Sequence, residues 1–476
     1  MREIFFKFFD EYDEFKTEDF EVSGLNYFSI IRNRLFFIAI SDEYKSPATK
    51  SNSFASSILI FFKMLRSSRF LLKKKTALGI SHNSFRTNLD NTIYDKALDP
   101  LLDIFGQGEG ILVEMNHRIS SGNEFYKNSR ILPLNFIEKI ASKLFKKEHS
   151  LSVDLMQKKA LNELIENFCS ISSKTDTQKI KRLIKSDILK FFIWIRLSRI
   201  ILNLIKPKFL FTYSFSSVST GAFIAVANSM KIKTIDIQHG PVGWQHFNYR
   251  YLKSNNENII YPEPKFFFVW DKYSFNIMSE IIDKERLILA GNRWHKFILD
   301  LSYRNEYNFQ RNKKYILYTL QPVEPIIEDF IMEAIERSKE DFIWLIRYHP
   351  RMNDQQKKQI SDNLEKFTKI GVVSLDYSNN TALPEILLNC DVHITKYSGS
   401  TLEACSFKVP TVIINLMGYE LYKNLEGDQL ITFELNNNSE NLLKSIKYLS
   451  VKNQHHSNEM DFISMNMNID HFLSES

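Results

Sequence analysis

From about residue 315 onward, short apolar runs alternate with longer stretches that are apolar at every third or fourth position. The runs Tyr315–Thr319, Phe342–Arg347, Val372–Leu375, Val392–Thr395, Thr411–Ile414 and Leu430–Phe433 are four to six residues long and predict strands. Between them the spacing predicts helices at about 325–339, 353–365, 383–389 and 400–407, and a last one near 438–450. Strands apolar on both faces belong in a parallel sheet with helices on each side. This part of the chain is therefore expected to be a doubly wound α/β domain.

The first half shows the same alternation less regularly. Asp187–Ile205 is the most apolar segment, interrupted by Lys190, Arg196 and Arg199, and it predicts a buried helix ended at Lys206-Pro207. A strand at Phe209–Tyr213, a polar turn at Ser214–Gly221, a small-residue helix at Ala222–Met230 and a strand at Lys233–Ile237 follow. That order is the repeating unit of a parallel sheet. A loop from Gly240 to Glu263 leads to strands at Phe266–Trp270 and Leu287–Ala290, and Thr76–Ile80 and Ile111–Glu114 are candidate strands upstream. Residues 1 to 150 are rich in aromatics, and their pattern does not set an order of elements. Phe5, Phe6, Phe8 and Phe9 are expected in a core. The polar stretch Tyr303–Lys313 is the expected boundary, giving a first domain over 1–302, a second over 303–450 and a tail over 451–476.

Composition narrows the class. A chain of 476 residues has room for two or three cores, and its hydrophobic and charged fractions, 44% and 25%, are those of a globular protein. The net charge of +6 favours anionic ligands but is too diffuse for a nucleic-acid partner. Cys169, Cys390 and Cys405 lack metal-ligand spacing and read as reduced thiols. With no signal-like start and no apolar stretch long enough to span a bilayer, a cytoplasmic location is expected. The basic, aromatic run Phe61–Lys75 has two readings, a solvated surface helix or a peripheral attachment to the inner face of the membrane.

Ligands of doubly wound sheets bind beyond the carboxyl ends of the strands, so the strand-to-helix turns are where chemistry is expected. Gln238-His239-Gly240 ends one strand and offers an imidazole, a candidate general base, before a glycine suited to a sharp turn. Gly291, Asn292 and Arg293 follow another, where a structural role is the stronger reading. Arg347, Tyr348, His349, Pro350 and Arg351 end the strand FIWLIR and suit a phosphate or carboxylate. Lys396–Thr401 opens a helix, with Glu403 spaced to complete a capping box begun at Ser400. There Ser398, Gly399, Ser400 and Thr401 could meet an anion at the helix end. Gln321, beyond the strand Tyr315–Thr319, is a further candidate.

At these residues the chain resembles glycosyltransferases of the GT-B type, in which two Rossmann-like domains face a cleft. RYHPR is similar to the His-Pro motif of bacterial sialyl- and polysialyltransferases and of capsule Kdo transferases. CDVHITKYSGSTLEA followed by VPTVII resembles a segment of the CDP-glycerol glycerophosphotransferases, as LAGNRWHKF and IQHG do more distantly. Lys396 stands where that family has an aspartate, which would add positive charge beside a phosphate; Gly399 replaces its second serine. The resemblance spans about residues 232–415. It implies that His349 meets the donor phosphate, that Ser398, Ser400 and Thr401 hold phosphate or ribose, and that His239 is the base. It also implies transfer of a sugar, a CMP-linked acidic sugar foremost, to a glycan or lipid-linked glycan of a capsule or lipopolysaccharide. No cofactor is implied, and with no DxD-like pair at a strand end the expected reaction is metal-independent. The alternatives are a CDP-alditol phosphotransferase, a UDP-sugar epimerase and an inactive glycan-binding relative.

Overall fold

A computed structural model describes residues 2–12, 17–39, 74–81, 85–89, 92–106, 108–114, 125–126, 132–133, 141, 145–171, 176–244, 246–252, 259–300, 313–428, 430–452 and 462–474. They form two compact units, one of Met1–Trp270, Ser274–Ala290 and Ile469–Ser476, the other of Asp271–Tyr273 and Gly291–Asn468. Of the polar stretch Tyr303–Lys313, all but Lys313 lies outside the described residues, and so does the run Phe61–Lys75 apart from its last two lysines. Lys75 is buried, with its ammonium on the Gly108 carbonyl.

The first unit is built on strands β1 (Ala77–Ser81), β2 (Gly110–Glu114), β3 (Leu132–Pro133), β4 (Phe209–Thr212), β5 (Lys233–Ile237), β6 (Phe266–Val269) and β7 (Leu287–Leu289). They pair in parallel in the order β3-β2-β1-β4-β5-β6-β7. The second unit has β8 (Lys314–Thr319), β9 (Phe342–Arg347), β10 (Val373–Ser374), β11 (Val392–Thr395), β12 (Thr411–Ile413) and β13 (Ile431–Phe433). Its order is β10-β9-β8-β11-β12-β13, again all parallel. The second is the Rossmann order 3-2-1-4-5-6 and the first is that order with a seventh strand added at its edge, so the expected pair of Rossmann-like α/β domains is what forms. In each, the chain reverses its direction of travel between the first strand and the fourth. Those switch points lie between β1 and β4, and between β8 and β11.

Period-two burial shows why β8 and β9 are covered twice. Ile316, Tyr318, Trp344 and Ile346 pack on one face with Phe330, Ile331, Leu364 and Leu442 from the helices there. Tyr315, Leu317, Ile343 and Leu345 pack on the other with Ile386, Leu387, Ala404 and Phe407.

In the first unit the long helix is longer than its apolar stretch predicts, running Thr177–Ile205. Asp176 caps its first turn by accepting from the Gln178 and Lys179 amides, and Ile180 and Ile184 extend the buried stripe upstream. Lys190, Arg196 and Arg199 fall on its exposed side. It ends where Lys206 turns left-handed (φ 51°) before Pro207. The N-terminal phenylalanines are core, with Phe5, Phe6 and Phe9 buried and Phe8 packed against them. Within the stretch read as a tail, the helix Phe462–Ser474 places Ile469 and Phe472 against Phe209, Phe211 and Phe268 of the first sheet. Among the described residues no helix is long and apolar enough to cross a membrane.

Candidate functional site

Register sets the carboxyl edge of the second sheet. Thr319 of β8 pairs with Arg347 of β9 and with Thr395 of β11, which pairs with Ile413 of β12. The turns beyond this row carry most of the residues singled out in the sequence.

At the switch point lies a buried polar knot around His393. His393 points into the sheet with Nε2 2.9 Å from Thr319 Oγ1 and 3.2 Å from Ser400 Oγ, while Nδ1 is 3.1 Å from Thr411 Oγ1. Thr319 and Ser400 hydroxyls are 3.0 Å apart, and Thr395 donates to the Thr319 carbonyl at 3.2 Å. The Ser400 hydroxyl is thus turned inward, and no capping box forms. Gly399 is the N-cap, without a side-chain cap, and the Ser398 hydroxyl instead accepts from the Ser400 amide at 3.2 Å. Glu403, the expected partner of Ser400, is drawn to His295 at 3.0 Å. Thr401 is fully buried; Ser398 and Gly399 are half-buried. The one visible signal for the knot was a histidine inside an otherwise apolar strand.

Burial holds His393 well below its ordinary 6.5, at about 3, against the pull of Glu403. The unfolded chain gains this proton near pH 6.5 and the folded chain does not until about 3. Stability present above pH 6.5 is therefore lost as pH falls toward 3, at up to about 1.4 kcal/mol per pH unit for the one group. Urea titrations at pH 7 and pH 5 should show a smaller acid loss in His393→Asn than in the parent. Equal losses would remove His393 from the acid limb.

Lys396 does not add charge at the turn in the way its place in the motif suggests. Only 2% of its side chain is exposed, and its ammonium sits 2.8 Å from Glu328 Oε1 and against the Pro325 carbonyl. Glu328 also accepts from the Tyr318 hydroxyl at 2.8 Å. The pair ties the segment after β8, which includes the buried Gln321, to the turn after β11. Lys396→Met strands the carboxylate, and a loss of about 2–3 kcal/mol is expected in urea unfolding. Adding Glu328→Gln should recover part of it; a neutral single variant would show the pair to be idle.

After β9, the Arg347 guanidinium donates through Nη1 to the Ser378 and Thr381 carbonyls at 2.5 and 2.8 Å. Burial lowers it to about 10, with Glu403 opposing. Asn379 accepts from the Tyr348 amide and donates to the Ile346 carbonyl, buttressing the same turn. His349 is half-buried, and its Nδ1 accepts from the Arg351 amide at 3.1 Å. Burial, then Arg351, pushes it down to about 4. It is a neutral imidazole at pH 7, with its proton on Nε2 and thus a donor there. An anion placed at that nitrogen would raise the pKa again. Pro350 is exposed, and the Met352 amide closes the turn on the His349 carbonyl at 2.9 Å.

In the first unit, β5 ends in Ile237, and Gln238 works as a bracket. Its Oε1 accepts from the Trp270 amide at 2.7 Å, and Nε2 donates to Ser274 Oγ at 2.9 Å and to the Gly240 carbonyl at 3.1 Å. That use of the whole amide is structural. His239 is half-buried, its ring 5.5 Å from Phe85 and 6.3 Å from both Tyr213 and His246. His246, for which no local pattern in the sequence suggests a role, lies 4.8 Å from the Tyr249 ring, and Tyr249 donates to the buried Asp236 at 2.9 Å. The chain bends at Gly240 as expected, but the bend does not need glycine. It is not among the left-handed residues, and a Cβ there would meet nothing within 4 Å. Gly291, in the second unit, does take a left-handed φ of 70°. Among the described residues no three His, Cys, Asp or Glu side chains gather as metal ligands.

No family model matches the chain, and no curated protein matches it. Among solved structures it is similar to UDP-GlcNAc 2-epimerase from Neisseria meningitidis bound to UDP-GlcNAc, at 14% identity over 84% of this chain and 100% of that one, with a TM-score of 0.49. UDP-GlcNAc 2-epimerase from Methanocaldococcus jannaschii, in complex with UDP-GlcNAc and UDP, is 15% identical over 85% and 100%, with a TM-score of 0.48. The wall teichoic acid polymerase TagF is 12% identical over 87% and 90%, with a TM-score of 0.43.

Proposed function

We propose that this chain is a glycosyltransferase that moves a sugar from a nucleotide-activated donor to a surface glycan, with a CMP-linked acidic sugar as the leading donor. The observation that supports it is the clustering of polar groups beyond one row of the second sheet. The Nε2–H of His349, the Ser398–Thr401 turn, Gln321 and the carboxylate of Glu403 all follow strands in register at Arg347, Thr319 and Thr395. Ligands of doubly wound sheets bind at that edge. His349 would donate to the leaving phosphate as a neutral group, and the Ser398–Thr401 turn would meet phosphate or ribose. Arg347 would act from behind, holding the end of the helix Asp376–Asn380 rather than the anion through Nη1. His239 would take the acceptor hydroxyl proton, while Gln238 keeps its turn in shape. The CMP preference rests on the likeness of RYHPR alone.

The purified full-length chain should be incubated with CMP-sialic acid, UDP-GlcNAc and CDP-glycerol, each with and without a glycan acceptor, and followed by 31P NMR. Acceptor-dependent consumption of a nucleotide sugar is the expected result. Consumption of CDP-glycerol alone would identify a phosphotransferase. Interconversion of UDP-GlcNAc with no acceptor would identify an epimerase. Either would replace this reading.

A further inference from the structure

The helix Arg293–Asp300 carries a histidine that the proposed chemistry has not used. His295 has no exposed side-chain surface, and its ring packs on Phe407 with centroids 4.7 Å apart. Its Nε2 lies 3.0 Å from Glu403 Oε2 and 3.0 Å from Asn292 Nδ2, and its buried Nδ1 has no hydrogen-bond partner. Asn292 is itself fixed, because its Oδ1 accepts from the Trp294 amide at 3.1 Å, which turns its Nδ2 toward the ring. One ring nitrogen cannot donate to the carboxylate and accept from the amide at once. An ionised carboxylate only accepts, so the geometry puts a proton on Nε2.

Glu403 is the least buried member of this group, with a fifth of its side chain exposed. Arg347 and His393 both feel its charge. A glutamate has three rotatable bonds, and ordering it on ligand binding costs affinity unless something has already fixed it.

We propose that His295 is a positioning residue, which holds the Glu403 carboxylate by a hydrogen bond from Nε2 so that it faces the hydroxyl groups of a bound nucleotide. This rests on the proposed nucleotide-binding role of the strand-end turns, and it adds a residue with no contact of its own to the ligand. Glutamine can reach with an amide N–H where imidazole Nε2 stands, and leucine cannot donate at all. His295→Gln and His295→Leu therefore separate the hydrogen bond from the bulk.

The full chain and both variants should be titrated by calorimetry with CMP, CDP, UDP, GDP and dTDP, and with inorganic phosphate, which has no sugar hydroxyls. For the nucleotide that the parent binds best, His295→Leu should lose about tenfold or more in affinity, the scale of a hydrogen bond to a charged group. His295→Gln should stay within about threefold of the parent, and phosphate affinity should be alike in all three. Imidazole 15N NMR of the parent should show the proton on Nε2. Equal nucleotide affinity in parent and His295→Leu would overturn the assignment alone. So would weakening that includes phosphate, or an Nε2 that carries no proton, which can be read even where His295→Leu does not fold. A parent that binds none of the five nucleotides would overturn the nucleotide reading and this assignment with it.

Discussion

Substituting His349 with alanine is expected to leave the chain folded and to cut turnover about a hundredfold or more, as removing one preorganised donor to developing charge does elsewhere. The ring is half-buried and its Nδ1 is engaged by the Arg351 amide, so Nε2–H is already aimed before any ligand arrives. Its neutrality at pH 7 follows from burial and from Arg351. It would therefore stabilise a phosphate by donating a hydrogen bond, not by carrying charge. His239→Ala should be as severe if that imidazole takes the acceptor proton, since general-base catalysis contributes on the order of 10²–10⁴. Steady-state turnover with the preferred donor, beside a thermal melt of each variant, checks both. Full turnover in either folded variant would remove that residue from the mechanism.

The second large effect is on stability. Gly418, in the helix Leu416–Tyr422, lies against the turn after β11 so closely that an alanine Cβ would overlap the Lys396 carbonyl oxygen and stand 2.5 Å from Ile413 Cγ2. Neither neighbour can yield cheaply. The first is backbone, and Ile413 is fully buried in β12. Four residues on, Tyr422 donates to the Ser398 carbonyl at 2.8 Å, so one helix presses on the turn at two points. Gly418→Ala should cost about 3 kcal/mol or more in urea unfolding, the scale of overpacking a rigid contact. Nucleotide affinity should fall with it. A variant as stable as the parent would mean that the helix can move away from the turn.

What could be read in the sequence was what short-range pattern controls. FIWLIR and VHIT are apolar runs of strand length bounded by polar turns, and β9 and β11 lie on them. The His-Pro turn and the SGST turn stand at strand ends because a doubly wound sheet puts its loops there. What could not be read depends on partners far away in the chain. His393 meets Thr319, 74 positions earlier, only once β8 and β11 lie side by side. Glu403 reaches 108 positions back to His295, so a local spacing that fits a capping box predicted the wrong partner for it. Lys396 reads as a free charge because Glu328, 68 positions earlier, comes beside it only in the fold. β3 has only two residues, too few for any periodicity to register. Gly240 is a different case: the chain bends there, but with no left-handed φ and open space for a Cβ the bend does not call for glycine.

The most direct test of the nucleotide site is a thermal-shift screen of the full chain against CMP, CDP, UDP, GDP and dTDP, run beside His349→Ala. A ligand that binds only the folded form adds about 2.7 kcal/mol at a hundred times its Kd, enough to raise Tm measurably. At least one of the five, CMP or CDP foremost, should raise the Tm of the parent and raise that of His349→Ala less. If none moves the parent at millimolar concentration, the strand-end turns of the second unit do not hold a nucleotide, and the transferase assignment is contradicted.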